Sequence, residues 1–124
     1  MKISLSNMEW KLMDPLWNDP PMTLMQLTRA LEAETGWTKH TVITMLTRLE
    51  NKGAVRWKQE GRTRHYFPVV SREEARREET AGFLDRVYGG RLGLMVNALV
   101  EDHALTKEDI DELSEILRRA GEEK

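Results

Sequence analysis

Residues 37–70 constrain the fold of this chain more than any other part of the sequence. The first half of this stretch has apolar residues at helical spacing, and the second half alternates apolar and polar residues around a turn at 60–64. A helix followed directly by a short, basic hairpin is typical of a winged helix-turn-helix. The apolar residues of the helix, which we expect to face inward, are Val42, Met45, Leu46 and Leu49.

Two further helices are predicted ahead of this stretch. Ser6 with Glu9, and Thr23 with Gln26, have the spacing of capping boxes, in which each side chain satisfies a free backbone amide of the other residue. Pro15 predicts a kink or an early stop in the first helix, because proline removes a backbone donor. Gly36 can end the second helix and Thr38 can cap the third after a short gap, as in a helix-turn-helix.

The hairpin after the third helix should form the wing. Val55 and Trp57 alternate with basic residues on the outgoing strand, and His65, Phe67 and Val69 alternate on the return strand. If His65, Phe67 and Val69 face inward, Tyr66 lies on the outer face of the return strand. We therefore expect a mainly α fold with a small antiparallel β-wing, in which residues 1–70 form the winged helix-turn-helix domain.

The remaining residues, 71–124, predict three more helices. They are bounded by the capping pattern at 71–74, by Gly89-Gly90 and by a cap at Thr106. Three such helices cannot easily bury their apolar positions alone, so we expect a dimerisation domain; the alternative is that they fold back on the first domain. The residues expected at the dimer interface are Phe83, Leu84, Val87, Tyr88, Leu92, Met95, Leu99, Ile110, Leu113 and Leu117.

The net charge of −2 conceals a difference between the two halves. Residues 1–70 contain ten Lys and Arg against seven Asp and Glu, whereas residues 71–124 contain nine against fourteen. A basic half joined to an acidic half favours a module that binds a polyanion, attached to a separate interaction module. Charge patterning on solvated faces by chance would give the same counts.

The outward face of the third helix is the first candidate surface for double-stranded DNA. Lys39 could donate to guanine, Thr44 could bond to several bases, and Ile43 could contact a thymine methyl group. An aliphatic residue that is merely exposed is an equally good explanation for Ile43. The wing adds Arg62 and Arg64 for phosphate or the minor groove. The full predicted set is Thr38, Lys39, His40, Thr41, Ile43, Thr44, Arg48, Lys52, Arg62, Arg64 and Tyr66.

Within this set, Tyr66 could offer its hydroxyl to a phosphate. Arg48 could contact phosphate or pair with a carboxylate of the chain itself, and the sequence does not choose between these roles. The four tryptophans, Trp10, Trp17, Trp37 and Trp57, are expected to pack in or against the core.

Several classes of function are disfavoured. The chain has no cysteine, its three histidines lie in separate elements, and it contains no phosphate-binding glycine loop or nucleophile motif. We therefore expect no enzyme, no cofactor and no metal site. The absence of a long apolar segment predicts a cytoplasmic protein without membrane insertion. A winged helix that binds protein, and a DNA-binding regulator induced by a small ligand, are the alternative functions.

Five segments spread over nearly the whole chain form a recognisable pattern: MEWKLMDPLW, GWTKHTVITMLTRLENKGAV, EGRTRHYFPVVS, FLDRVYGGRLGLMVNALVED and LTKEDIDELSEIL. In these segments the chain resembles the penicillinase repressor family of the BlaI/MecI type. The resemblance implies a homodimeric repressor that binds a dyad-symmetric operator, with antibiotic-resistance genes among its possible targets. It also implies relief of repression by a membrane-bound sensor protease, which by position would cut between Ala98 and Leu99, where family members with known cleavage have Asn-Phe.

Overall fold

The computed structural model describes residues 3–122 and divides the chain into two compact units, Met1–Thr80 and Ala81–Lys124. Helix α4 runs across the boundary between them. Within the described residues, no helix combines the length and the apolar character needed to cross a membrane. The elements in chain order are α1 Asn7–Asn18, α2 Leu24–Thr35, α3 Lys39–Lys52, β1 Val55–Glu60, β2 Thr63–Pro68, α4 Arg72–Tyr88, α5 Leu92–Glu101 and α6 Lys107–Glu122.

Local capping determines where the first helices begin. The Ser6 hydroxyl accepts from the Glu9 amide at 3.2 Å, and the Glu9 carboxylate accepts from the Ser6 amide at 2.8 Å, which confirms the first predicted capping box. The box formed by Thr23 and Gln26 is present as well. Gly36, at φ 67°, adopts the left-handed conformation in which a residue without a Cβ ends a helix at no steric cost.

Pro15 does not stop helix α1, so that part of the prediction is wrong. The helix continues for a further turn to Asn18, and the carbonyl of Pro15 accepts from the Asp19 amide at 3.1 Å. Leu16, in this last turn, is fully buried. Burial of that turn against the core offsets the backbone hydrogen bond that proline cannot make.

The wing is a two-stranded antiparallel hairpin whose loop consists of Gly61 and Arg62. Trp57 pairs with Tyr66, so these two side chains share one face of the ribbon. Tyr66 is therefore the inward residue of β2 and is only 4% exposed, which corrects the expected phase of the return strand. The backbone of Tyr66 also exchanges two hydrogen bonds with Met22, at 2.8 and 3.1 Å, which attaches the wing to the turn before α2.

The first unit has a closed apolar core built from every one of its elements. The four inward residues predicted for α3 are all buried, and the tryptophans pack against the core from its edge. Trp17 donates its indole N–H to the carbonyl of Val70 at 2.9 Å, which joins α1 to the segment after the wing. The largest fully buried side chains are Leu12, Met13, Leu16, Leu27, Leu31, Val42, Leu46 and Leu49.

The second unit has the predicted helices, but its described residues, 81–122, form no comparable core. Gly89 and Gly90 follow α4 in the left-handed region, and Thr106 caps α6 by accepting from the Asp109 amide at 3.0 Å. No residue of helix α5 or of helix α6 is buried.

Candidate nucleic-acid interface

Helix α3 separates its inward and outward residues as its periodicity predicts. Lys39, His40 and Thr47 are exposed on the outward face, and Ile43 is 42% exposed among them. The outward face therefore offers a cation, a titratable ring, hydroxyl groups and one apolar side chain to a ligand.

Threonine hydroxyls on α3 are partly committed to the helix itself. Thr38 caps the helix and accepts from the Thr41 amide at 3.3 Å. Thr44 is half-buried and donates its hydroxyl to the His40 carbonyl at 3.0 Å. The oxygen of Thr44 keeps its capacity to accept a hydrogen bond, so in this rotamer it suits a donor such as an amino group of a base.

An open groove of about 500 Å³ lies between α3, the wing and the start of α2. Lys39, Arg62 and Arg64 give this groove three positive charges, and no acidic side chain lines it among the described residues. Ile43 and Met25 add exposed apolar surface. The lining residues are Thr23, Leu24, Met25, Lys39, Ile43, Gln59, Arg62, Thr63, Arg64 and Tyr66.

Half of this lining was not anticipated from the sequence. Thr23, Leu24 and Met25 come from the first turn of α2, where their local pattern indicates only a capping box. Met25 is 46% exposed, although the leucines of the same helix lie in the core or pack against it. An apolar residue out of phase with its helix is the signal that could have identified it.

Arg62 and Arg64 differ in how they are held. Arg62 lies in the hairpin loop, whereas Arg64 lies on β2 opposite Gln59. The guanidinium carbon of Arg64 is 4.0 Å from the centroid of the Trp57 ring, which is stacking distance. Both side chains are exposed and line the same groove.

Three residues of the predicted set differ from the exposed residues that line the groove. The Lys52 ammonium donates to the Glu9 carboxylate at 2.5 Å and to the Ser4 carbonyl at 2.8 Å, so it ties the end of α3 to the N-terminal segment instead of lining the groove. Tyr66 lines the groove but is largely buried in the core. Arg48 is exposed on α3 outside the groove lining.

The partner of Lys52 is the one buried charged residue among those described. Burial of Glu9 raises the pKa of its carboxyl, but the hydrogen bonds from Lys52 and from the Ser6 amide, with the charge of Lys52, outweigh burial and lower the pKa below its ordinary value. Glu9 is therefore ionised at neutral pH, and it holds the N-terminal segment, α1 and the end of α3 together.

The second unit exposes most of its predicted interface residues. Leu92, Ile110 and Leu117 are 53%, 50% and 66% exposed. A mostly apolar groove of about 490 Å³ runs between α5 and α6, lined by Leu92, Met95, Val96, Leu99, Leu105, Asp109, Glu112, Leu113, Ile116 and Leu117. Of the other predicted residues, Phe83 and Val87 are exposed, whereas Leu84 and Tyr88 are half-buried.

The Ala98–Leu99 bond lies inside helix α5. The carbonyl of Ala98 accepts from the Asp102 amide at 3.1 Å, and the carbonyl of Leu99 accepts from the Ala104 amide at 3.0 Å. Both carbonyls are thus engaged in hydrogen bonds at the end of the helix.

Known structures show a fold like that of the first unit. The solution structure of the DNA-binding domain of the repressor BlaI superimposes with a TM-score of 0.54 at 30% identity, covering 59% of this chain and 90% of that one. The Bacillus licheniformis BlaI monomeric form in complex with the blaP half-operator gives a TM-score of 0.53 at 30% identity, with the same coverage. The winged helix-turn-helix predicted from the sequence is thus confirmed.

Sequence relatives extend the likeness over both units. The penicillinase repressor of Bacillus licheniformis is 32% identical over 91% of this chain and 88% of its own length. The methicillin resistance regulatory protein MecI of Staphylococcus aureus is 25% identical over 93% of this chain and 94% of its own. The model of the penicillinase repressor family matches residues 5–119. The chain therefore belongs to the penicillinase repressor family, whose members are repressors and not enzymes.

Proposed function

We propose that this chain is a homodimeric, sequence-specific DNA-binding repressor. The observation that carries the proposal is the open groove between α3 and the wing, with three basic side chains, exposed apolar side chains and no acidic lining among the described residues. Such a surface suits DNA, because phosphates attract the cations while base edges and thymine methyl groups contact the polar and apolar side chains.

Helix α3 supplies the base contacts in this proposal. An α-helix fits the major groove of B-DNA, and its first turns approach the base edges. Lys39, in the first turn, donates to guanine acceptors, and Ile43 contacts a thymine methyl group. Thr44 accepts from an amino group, since its own proton is bonded to His40. The wing arginines bind the phosphate backbone beside the same groove.

The second unit brings two copies together in the proposal. Exposed apolar side chains on α5 and α6 would be covered by the same surface of a second chain. A dimer with twofold symmetry places two winged units on half-sites related by a dyad, about 34 Å apart along the duplex. Antibiotic-resistance genes are the proposed targets, in line with the names of the relatives.

Repression is proposed to be relieved when a membrane-bound sensor protease cuts the chain between Ala98 and Leu99. Since both carbonyls are engaged in hydrogen bonds, a protease needs local opening of α5 before it reaches the bond. Cleavage there would separate α6 from most of α5 and detach seven of the ten residues that line the apolar groove. The same surface thus links dimerisation to relief.

Substitution of Arg62 tests DNA binding through the wing. Arg62→Ala should weaken binding to all duplexes similarly and reduce the slope of log affinity against log salt by about 1, as the loss of one phosphate contact does. Fluorescence anisotropy with a duplex that the wild-type chain enriches from a random pool measures both quantities. Arg29→Ala, at an exposed position on α2 outside the groove, is the matched control and should change neither.

An unchanged affinity and an unchanged salt slope for Arg62→Ala would contradict the proposal that the wing binds DNA.

Base contacts are tested by the same enrichment from a random pool, because Lys39→Ala and Thr44→Ala should alter which sequences are selected. If these two variants lost affinity equally for every sequence, α3 would not be the recognition helix.

A further inference from the structure

Trp57, on strand β1 of the wing, contacts both the helix proposed to enter the major groove and an arginine on the other wing strand. Its indole N–H donates to the carboxylate of Glu50, on α3, at 2.9 Å. Its ring face carries the guanidinium of Arg64, whose central carbon is 4.0 Å from the ring centroid. One side chain therefore contacts the recognition helix through its edge and a wing arginine through its face.

The strand register brings Trp57 and Arg64 together. Trp57 is opposite Tyr66 and Gln59 is opposite Arg64, so the two residues are diagonal neighbours on one face of the ribbon. Diagonal neighbours lie within reach when the side chains are long or aromatic. Trp57 is partly buried against the core, so it offers Arg64 a fixed platform.

Stacking leaves the hydrogen-bonding groups of the arginine free. A guanidinium has five N–H donors in its plane, and contact through its face occupies none of them. Arg64 remains exposed, and it lines the groove that also holds Lys39. The stacked side chain can therefore donate to a phosphate while its rotamers are already restricted.

We propose that Trp57 is a positioning residue for DNA binding: through its hydrogen bond to Glu50 it fixes Arg64 relative to α3 before DNA arrives. The inference rests on the proposed function and deepens it. An arginine that is ordered in advance loses less conformational entropy on binding than a free one. Arg64 is thereby held in a fixed orientation for its contact with DNA. Arg62 lies in the loop, so it serves as the reference arginine in the experiments below.

Lysine cannot replace arginine in this arrangement. An ammonium lacks the planar guanidinium that stacks on an aromatic ring and presents its donors in a fixed fork. Arg64→Lys keeps the charge and leaves the Trp57 packing in place. It should weaken binding about two- to fivefold, the size of an exposed cation–π contact, while Arg62→Lys should bind nearly as well as the wild type.

A double-mutant cycle tests the coupling directly. Trp57→Leu should weaken binding about two- to fivefold, and Trp57→Phe, which keeps an aromatic face, should recover part of that loss. Once Arg64 is alanine, Trp57→Leu should cause no further loss. In the Arg62→Ala background its full effect should remain, because Arg62 does not depend on Trp57. Affinities are measured with the full chain and the enriched duplex.

Thermal unfolding of each variant separates positioning from folding. If Trp57→Leu fails to fold, the DNA affinities of Arg64→Lys and Arg62→Lys still test the inference, because neither substitution alters a core residue. The inference is overturned if Arg64→Lys binds as well as the wild type, if the losses of Trp57→Leu and Arg64→Ala multiply, or if Trp57→Leu binds more tightly.

The same data distinguish failure of the inference from failure of the proposed function. A wild-type chain that enriches no sequence and binds no duplex contradicts DNA binding itself. A wild-type chain that binds, with a loss for Arg62→Ala but no coupling between Trp57 and Arg64, contradicts only the positioning role.

Discussion

Leu46 and Leu113 show how differently the two units use leucine. Leu46 on α3 is 1% exposed in a core that α1, α2, α3 and the wing enclose, whereas Leu113 on α6 is 36% exposed beside an open apolar groove. The first unit encloses an apolar core within one chain. The second unit also has leucines at helical spacing, but none of the residues of α5 or α6 is buried.

The difference teaches where we expect a second chain to be needed. Helices gain most of their stability in proteins by burying an apolar face, not from intrinsic propensity. The long-range contacts of the first unit, such as Trp17 with Val70, fix its helices against one another. Helices α5 and α6 leave their apolar faces exposed, so we expect a second copy to supply the missing surface.

The largest effect is expected from a charge placed in the second unit. Leu113→Asp should dissociate the proposed dimer, since each copy then brings an unpaired carboxylate whose burial costs on the order of 5 kcal/mol. Light scattering during size-exclusion chromatography measures the mass of each form. Ser114→Asp introduces the same charge at the adjacent exposed position outside the groove and should leave the mass unchanged. If the two variants had the same mass, the proposal that α6 forms part of the dimer interface would be contradicted.

Leu46→Ala should act on the first unit by a different route. Truncating a fully buried leucine typically costs about 2–5 kcal/mol of folding free energy, through lost burial and the cavity that remains. Urea unfolding followed by tryptophan fluorescence reports this unit, because all four tryptophans lie within it. A loss that disappears at high protein concentration would mean that the first unit also depends on a partner.

A smaller effect, about 1 kcal/mol, is expected from Glu9→Gln, because the amide still accepts hydrogen bonds but no longer pairs with the Lys52 charge. The folded pKa of Glu9 lies below its ordinary value, so its charge stabilises the fold above that value and the contribution fades as the pH falls through the folded pKa. The difference in unfolding free energy from the wild type should therefore be constant near neutral pH and shrink in acid.

Exposed Glu32 gives the matched comparison for this carboxyl. Glu32→Gln removes the same charge from an exposed position on α2 and should leave the unfolding free energy at neutral pH nearly unchanged. If Glu9→Gln behaved in the same way, the link between the N-terminal segment and α3 would not contribute to stability.

Local signals in the sequence predicted most of the helical fold. The capping residues Ser6, Thr23 and Thr38 mark helix starts in the structure, and Gly36 marks a helix end, because each satisfies or permits one particular backbone geometry. The inward residues of α3 followed from their spacing. The basic wing followed from the alternation of apolar and polar residues around the turn at 60–64.

The errors lie where non-local packing overrides a local rule. Helix α1 continues past Pro15 because the turn that follows is buried against the core. The expectation that proline stops a helix takes no account of such burial. Tyr66 faces inward because the register pairs it with Trp57, and that register depends on a two-residue loop that the sequence did not define. Met25 joins the groove only because α2 begins beside the wing, a proximity that arises from the tertiary fold.

The mass of the complex with DNA tests the central claim most directly. Sedimentation equilibrium of the full chain, of 14.4 kDa, with a dyad-symmetric duplex enriched by the chain itself should show two chains on each duplex. Under the proposal that the second unit pairs the copies, single-chain complexes should be scarce even when DNA is in excess. One chain per duplex at every protein concentration would contradict the account that the first unit binds DNA and the second joins two copies.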